Sequence, residues 1–210
     1  MTKNAQRGII NRMIENYPQA ITDFTRAIEL KSNNDWNFVQ RGITYRLMEK
    51  FNEALKDMQS AFELSPANDW NFMQRGITFR EMKQYDEVFK DFDKAIELDP
   101  KSAWNFAQRG DTFVLINKYK KALLDFDKAI ELDPEYRFAF SQRGVAYRAM
   151  KEYRKAIEDF KLAIQLESND DWSHYNLYIT YQLINKADEA ENYLNKALQF
   201  AREKLDSNPL

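Results

Sequence analysis

Glycine is scarce in this 210-residue chain, and its five occurrences, Gly8, Gly42, Gly76, Gly110 and Gly144, fall at a constant interval of 34 residues. A period between about 20 and 50 residues marks a solenoid, in which one small unit cannot bury its apolar face alone and must stack on its neighbours. Other residues keep the same clock. Ala27, Ala61, Ala95, Ala129, Ala163 and Ala197 share one phase, and Phe24, Met58, Phe92, Phe126, Phe160 and Leu194 form an apolar row. Ala20, Ala54, Ala122, Ala156 and Ala190 share another phase, with Val88 as its exception. The decapeptide DFDKAIELDP stands at Asp91–Pro100 and again at Asp125–Pro134. The period sets units at 1–34, 35–68, 69–102, 103–136, 137–170 and 171–204, with a C-terminal tail at 205–210.

Within each unit, apolar residues recur at spacings of three and four in two stretches of about a dozen residues, the pattern of two amphipathic helices. A polar link such as Glu49-Lys50 or Asn117-Lys118 separates them. The second stretch ends at Leu64–Pro66, Leu98–Pro100 and Leu132–Pro134, where proline lacks the N–H that a continuing helix requires. Glycine in the first helix and alanines in the second remove bulk where two backbones must approach. The expected fold class is all-α, about 12 antiparallel helices in hairpins.

Composition narrows the function. Hydrophobic residues make up 44% of the chain, enough for a core, and Lys plus Arg (31) nearly cancels Asp plus Glu (33) to a net charge of −2. Such a balance gives no field to draw in a phosphate backbone, so nucleic acid is disfavoured. Zero cysteines and a single histidine leave no thiolate metal site, thiol nucleophile or Ser-His-Asp arrangement. No enzyme, cofactor or metal site is expected. The apolar runs are too short to span a membrane and the first residues form no signal segment, so the expectation is a soluble, cytoplasmic protein.

The pattern resembles the tetratricopeptide repeat family, whose 34-residue unit carries a large aromatic, a glycine, a second aromatic, two alanines and a terminal proline. Here the aromatics four before glycine are Phe38, Phe72, Phe106 and Phe140, and those three after it are Tyr45, Phe79, Phe113 and Tyr147. The resemblance weakens at the ends, where Asn4 and Asn11 replace the aromatics, His174 a phenylalanine and Tyr178 the glycine. It implies a right-handed superhelix of helix pairs, a concave groove that binds ligands, and no catalysis.

On a wheel of about 100° per residue with glycine at zero, the paired aromatics fall near −40° and −60°. Residues six before, three before, one after and four after glycine fall between about 40° and 120°. The resemblance places this second stripe on the groove. Six before glycine stand Trp36, Trp70, Trp104, Phe138 and Trp172; three before stand Val39 and Met73; one after stand Ile43, Ile77 and Asp111; four after stand Arg46, Arg80 and Arg148. Aromatic residues, methionine and arginine are the types enriched at interfaces. The expected function is a non-catalytic scaffold or adaptor that binds a protein or peptide segment, acidic with apolar side chains, along this stripe. Two other readings stay open. One is a self-assembling homo-oligomer in which the groove receives another copy's helix at Ala187–Leu205; the other is a single-stranded RNA binder that stacks bases on the tryptophans.

A second regularity concerns stability. Arg7, Arg41, Arg75, Arg109 and Arg143 precede the glycines, and Asp23, Asp57, Asp91, Asp125 and Asp159 follow 16 residues later. In the last unit Leu177 and Tyr193 take both places. Joint loss predicts a repeated, partly buried ion pair between the two helices. His174, in the phase of a core phenylalanine, is expected to be structural.

Overall fold

A computed structural model describes residues 2–207. Every element among them is helical, and the chain divides into two compact units, Met1–Pro100 and Lys101–Leu210. The first holds α1 (Lys3–Met13), α2 (Tyr17–Leu30), α3 (Asp35–Leu47), α4 (Phe51–Leu64), α5 (Asp69–Glu81) and α6 (Tyr85–Leu98). The second holds α7 (Ala103–Leu115), α8 (Tyr119–Leu132), α9 (Arg137–Ala149), α10 (Tyr153–Leu166), α11 (Asp171–Leu183) and α12 (Ala187–Ser207). The helix α12 runs on through Ser207, so residues 205–207 of the expected tail are helical, while 208–210 lie outside the described residues.

Each odd-numbered helix pairs with the one that follows it into an antiparallel hairpin. The link turns through one residue in the left-handed region: Glu15, Glu49, Lys83, Asn117, Lys151 and Asn185 have φ between 58° and 63°. At each such turn the chain closes the preceding helix, as where Lys50 N–H donates to the Tyr45 carbonyl at 2.9 Å and Glu49 N–H to that of Arg46 at 2.8 Å. These bonds satisfy carbonyls that the helix end would otherwise leave open. Second helices stop at Leu64, Leu98 and Leu132, each two residues before proline.

The core explains the glycine clock. Phe24, Phe92, Phe126 and Phe160 are completely buried, each contributing about 1.5–3 kcal/mol. Their rings lie against the glycines, so that a Cβ on Gly76 would run into the Phe92 ring and one on Gly110 would sit 2.8 Å from Phe126. In α11, Tyr178 replaces the glycine, and the partner in α12 is Leu194. There both are absent, whereas in the second hairpin Met58 takes the place of the phenylalanine and Gly42 stays.

In the first unit α2 packs on α3 and α4 on α5; in the second α8 packs on α9 and α10 on α11. Successive first helices touch as well, α1 on α3 and α3 on α5, α7 on α9 and α9 on α11. Among the described residues, successive second helices do not pack on one another to that extent. Each unit is therefore tightest along its first helices, which form its inner, concave side.

Candidate functional site

The predicted stripe divides in two. Trp36, Trp70, Trp104 and Phe138 are partly buried and Trp172 is half exposed; Ile43 and Asp111, one after glycine, are also partly exposed. Val39 and Met73 are completely buried, and Ile77 nearly so. These three residues therefore do not line a groove. For Val39 and Met73 the reason is the close approach of successive first helices: the sector nearest 60° on each wheel faces the neighbouring hairpin. Ser141, in the row of Val39 and Met73, shares a 2.8 Å hydrogen bond with Ser173 of the following first helix.

The arginine row is also committed. Arg12 donates to the Gln40 carbonyl at 3.2 Å and to Gln40 Oε1 at 2.7 Å. Arg148 donates to the Asn176 carbonyl at 3.2 Å. Arg46 pairs with Glu81, and Arg80 is likewise not free. Arg12, Arg46 and Arg148 thus tie one hairpin to the next, a correction to the expectation of guanidinium groups standing open for a ligand. Burial pulls the Arg12 and Arg148 pKa values below the ordinary arginine value, with Arg46 adding to the effect at Arg12. Both remain cations, and the carbonyl oxygens that they bind are neutral.

The exposed apolar surface lies farther round the helix. Five residues after glycine stand Met13, Leu47, Leu115 and Leu183, all exposed, with Glu81 and Ala149 in the same row. On the wheel this row falls near 140°, beside the tryptophans at about 120° and the Ile43 row at about 100°. The part of the stripe that stays open to solvent runs from the Ile43 row to the row of Leu47, with the tryptophans between them. In the first unit it carries Trp36, Ile43, Leu47 and Trp70; in the second it carries Trp104, Leu115, Phe138 and Leu183. The missed signal was available in the sequence as a third apolar row of the same period.

Other polar groups serve the frame. All five Arg-Asp pairs form: Arg41, Arg75, Arg109 and Arg143 each grip the carboxylate with Nε at 2.8 Å and Nη2 at 2.6–2.7 Å, and Arg7 Nε donates to Asp23 at 2.9 Å. Their aspartates are buried. Arg41 and Arg143 reach further, to Thr25 at 2.9 Å and Asp127 at 2.7 Å on the preceding second helix. His174 is buried, its Nδ1 2.8 Å from the Asp170 carbonyl and its ring 5.2 Å from that of Phe200. Among the described residues no group of three acidic or histidine side chains could hold a metal ion, and no helix is long and apolar enough to cross a membrane.

Models of the tetratricopeptide repeat match residues 72–102, 106–136 and 138–170. Over these residues the chain is built of tetratricopeptide repeats. Repeats of this family generally act as non-catalytic scaffolds for protein–protein interaction. Among solved structures, MamA is similar at 24% identity over 79% of this chain and 96% of that one, with a TM-score of 0.67. PilF of Pseudomonas aeruginosa is similar at 17% identity over 95% of this chain and 96% of that one, with a TM-score of 0.76. YrrB, described as a tetratricopeptide repeat protein with an unusual peptide-binding site, is similar at 21% identity over 84% of this chain and 91% of that one, with a TM-score of 0.60. These identities speak to the fold alone. No curated protein matches the sequence at a significant level.

Proposed function

We propose that this protein is a non-catalytic adaptor that holds an extended protein segment along the apolar strip of its first helices. The observation that carries this reading is the register of two neighbouring rows on the concave side of each unit, the tryptophans, partly buried except for half-exposed Trp172, and the exposed Met13, Leu47, Leu115 and Leu183 five after glycine. Adjacent helices about 8–10 Å apart would offer a fresh aromatic and aliphatic pair to roughly every third residue of an extended chain. Alternating leucines on the ligand would supply the apolar match. Arg12 and Arg148, seated on neutral carbonyl groups, leave positive charge on the first helices and favour acidic residues between those leucines. A peptide-binding site in YrrB is in keeping with this reading.

The test uses two fluorescein-labelled decapeptides, one alternating leucine with aspartate and one alternating leucine with serine. The aspartate peptide should bind more tightly, and the difference should shrink in Arg148→Gln. Double variants Trp36→Ala/Leu47→Ala and Trp104→Ala/Leu115→Ala should each weaken it by more than tenfold, since truncating a central anchor costs about 2 kcal/mol or more. Unchanged affinity in both double variants would overturn the proposal.

A further inference from the structure

The first and last described hairpins expose surfaces that the junctions between hairpins bury. At junctions inside each unit, the incoming first helix buries Asn37 and Thr44, Asn71 and Thr78, Ala139 and Ala146, or Ser173 and Thr180. The corresponding residues of α1 are Lys3, exposed, and Ile10, 59% exposed, with Ile14 beside them at 67%. On the receiving side, Val39 is fully buried, and Phe62 lies 4.5 Å from the ring of Phe72 on the following helix. The corresponding residues of the last hairpin are Tyr175 and Leu198, 45% and 47% exposed. They line a shallow apolar hollow with Trp172 and Leu194. Apolar side chains grouped on the faces that interior junctions use, and left open to solvent, mark an interaction surface.

We propose that these two faces are partners, so that α1 of one copy seats on α11 and α12 of another and continues the stack between molecules. The polar groups match in the register that the interior junctions define. Asp35 accepts a hydrogen bond at 3.2 Å from Asn71 of the next hairpin; the same step between copies sets Asp171, which already holds Lys204, against Lys3. Arg143 reaches Asp127 on the preceding second helix; the same step sets Arg7, whose side chain is 61% exposed, against Asn195. Tyr175 and Ile10 are bulkier than their interior counterparts, which makes the junction between copies wider and weaker than those within the chain. A head-to-tail contact uses different patches on each copy, so it does not stop at two.

Sedimentation over a range of concentrations tests this with two double variants, Ile10→Glu/Ile14→Glu and Tyr175→Glu/Leu198→Glu. All four side chains are exposed, and circular dichroism should show unchanged helix content. The wild type should grow past a dimer as concentration rises, and each variant alone should stay monomeric. An equimolar mixture of the two variants should form a one-to-one pair and nothing larger, because each retains the face the other has lost. A wild type of constant mass, growth by either variant alone, or a mixture that does not pair would overturn the proposal.

Discussion

The first and fifth hairpins carry the same ion pair in different surroundings. Arg143 is 18% exposed and holds both Asp159 and Asp127, whereas Arg7 is 61% exposed and its aspartate takes further hydrogen bonds from Asn11 and Gln19. Burial pushes the Asp159 carboxyl up, against the pull of Arg143; hydrogen bonding from Arg7 holds the Asp23 carboxyl below its usual range. One motif is thus an interior brace in one hairpin and a solvent-facing tie in the other. What sets its character is whether a preceding hairpin covers the arginine.

The largest effect should follow from breaking the covered pair. Asp159→Ala leaves a guanidinium buried without its main partner and should cost about 3–5 kcal/mol in chemical denaturation, well above the loss from Asp23→Ala. Equal losses would erase the distinction between the two hairpins.

Next comes the glycine that faces each phenylalanine. Gly76→Ala drives a methyl into the Phe92 ring and should cost about 1–3 kcal/mol from overpacking, less up to about 1 kcal/mol returned by helix propensity. Gly42→Ala should cost less, because its nearest neighbours, the Ala54 carbonyl at 3.2 Å, Asp57 Cβ at 3.4 Å and Met58 Cε at 3.6 Å, leave more room. Thermal melts of the two variants should separate by several degrees.

The acid range sharpens the contrast between the two aspartates. A carboxyl held low in the native state stabilises above its unfolded pKa and loses that contribution as pH falls through the folded value. The deficit of Asp23→Asn should therefore shrink on acidification. Asp159, held high, has the opposite sign: its contribution declines as pH rises through the window above its unfolded pKa, and the deficit of Asp159→Asn should grow toward acid. Urea titrations across the acid range measure both slopes.

The smallest change is a gain. Lys151 holds φ at 63°, a conformation that costs an L-residue about 1–2 kcal/mol. Lys151→Gly should stabilise by up to about 1 kcal/mol after the added unfolded-state entropy is set against it.

The sequence made the hairpins legible because glycine, alanine and proline act locally: each fixes a close approach or a stop within one period. The Arg-Asp pairs were legible for a similar reason, since Leu177 and Tyr193 replace both partners at once. The ligand face was only half legible. A wheel drawn for one helix cannot know which sector a neighbouring hairpin covers, so Val39, Met73 and Ile77 read as groove when they are core, and Met13, Leu47, Leu115 and Leu183 went unread. The guanidinium groups misled for another reason. Their partners in the next hairpin include backbone carbonyls, which leave no trace in the residue pattern.

That choice of partner has an evolutionary corollary. A main-chain oxygen is present whatever residue occupies its position, so Arg12 on Gln40 and Arg148 on Asn176 read a feature that every successor hairpin supplies. A block copied, deleted or swapped in the gene would arrive with its docking point already in place, and the duplicated DFDKAIELDP is what such copying would leave behind.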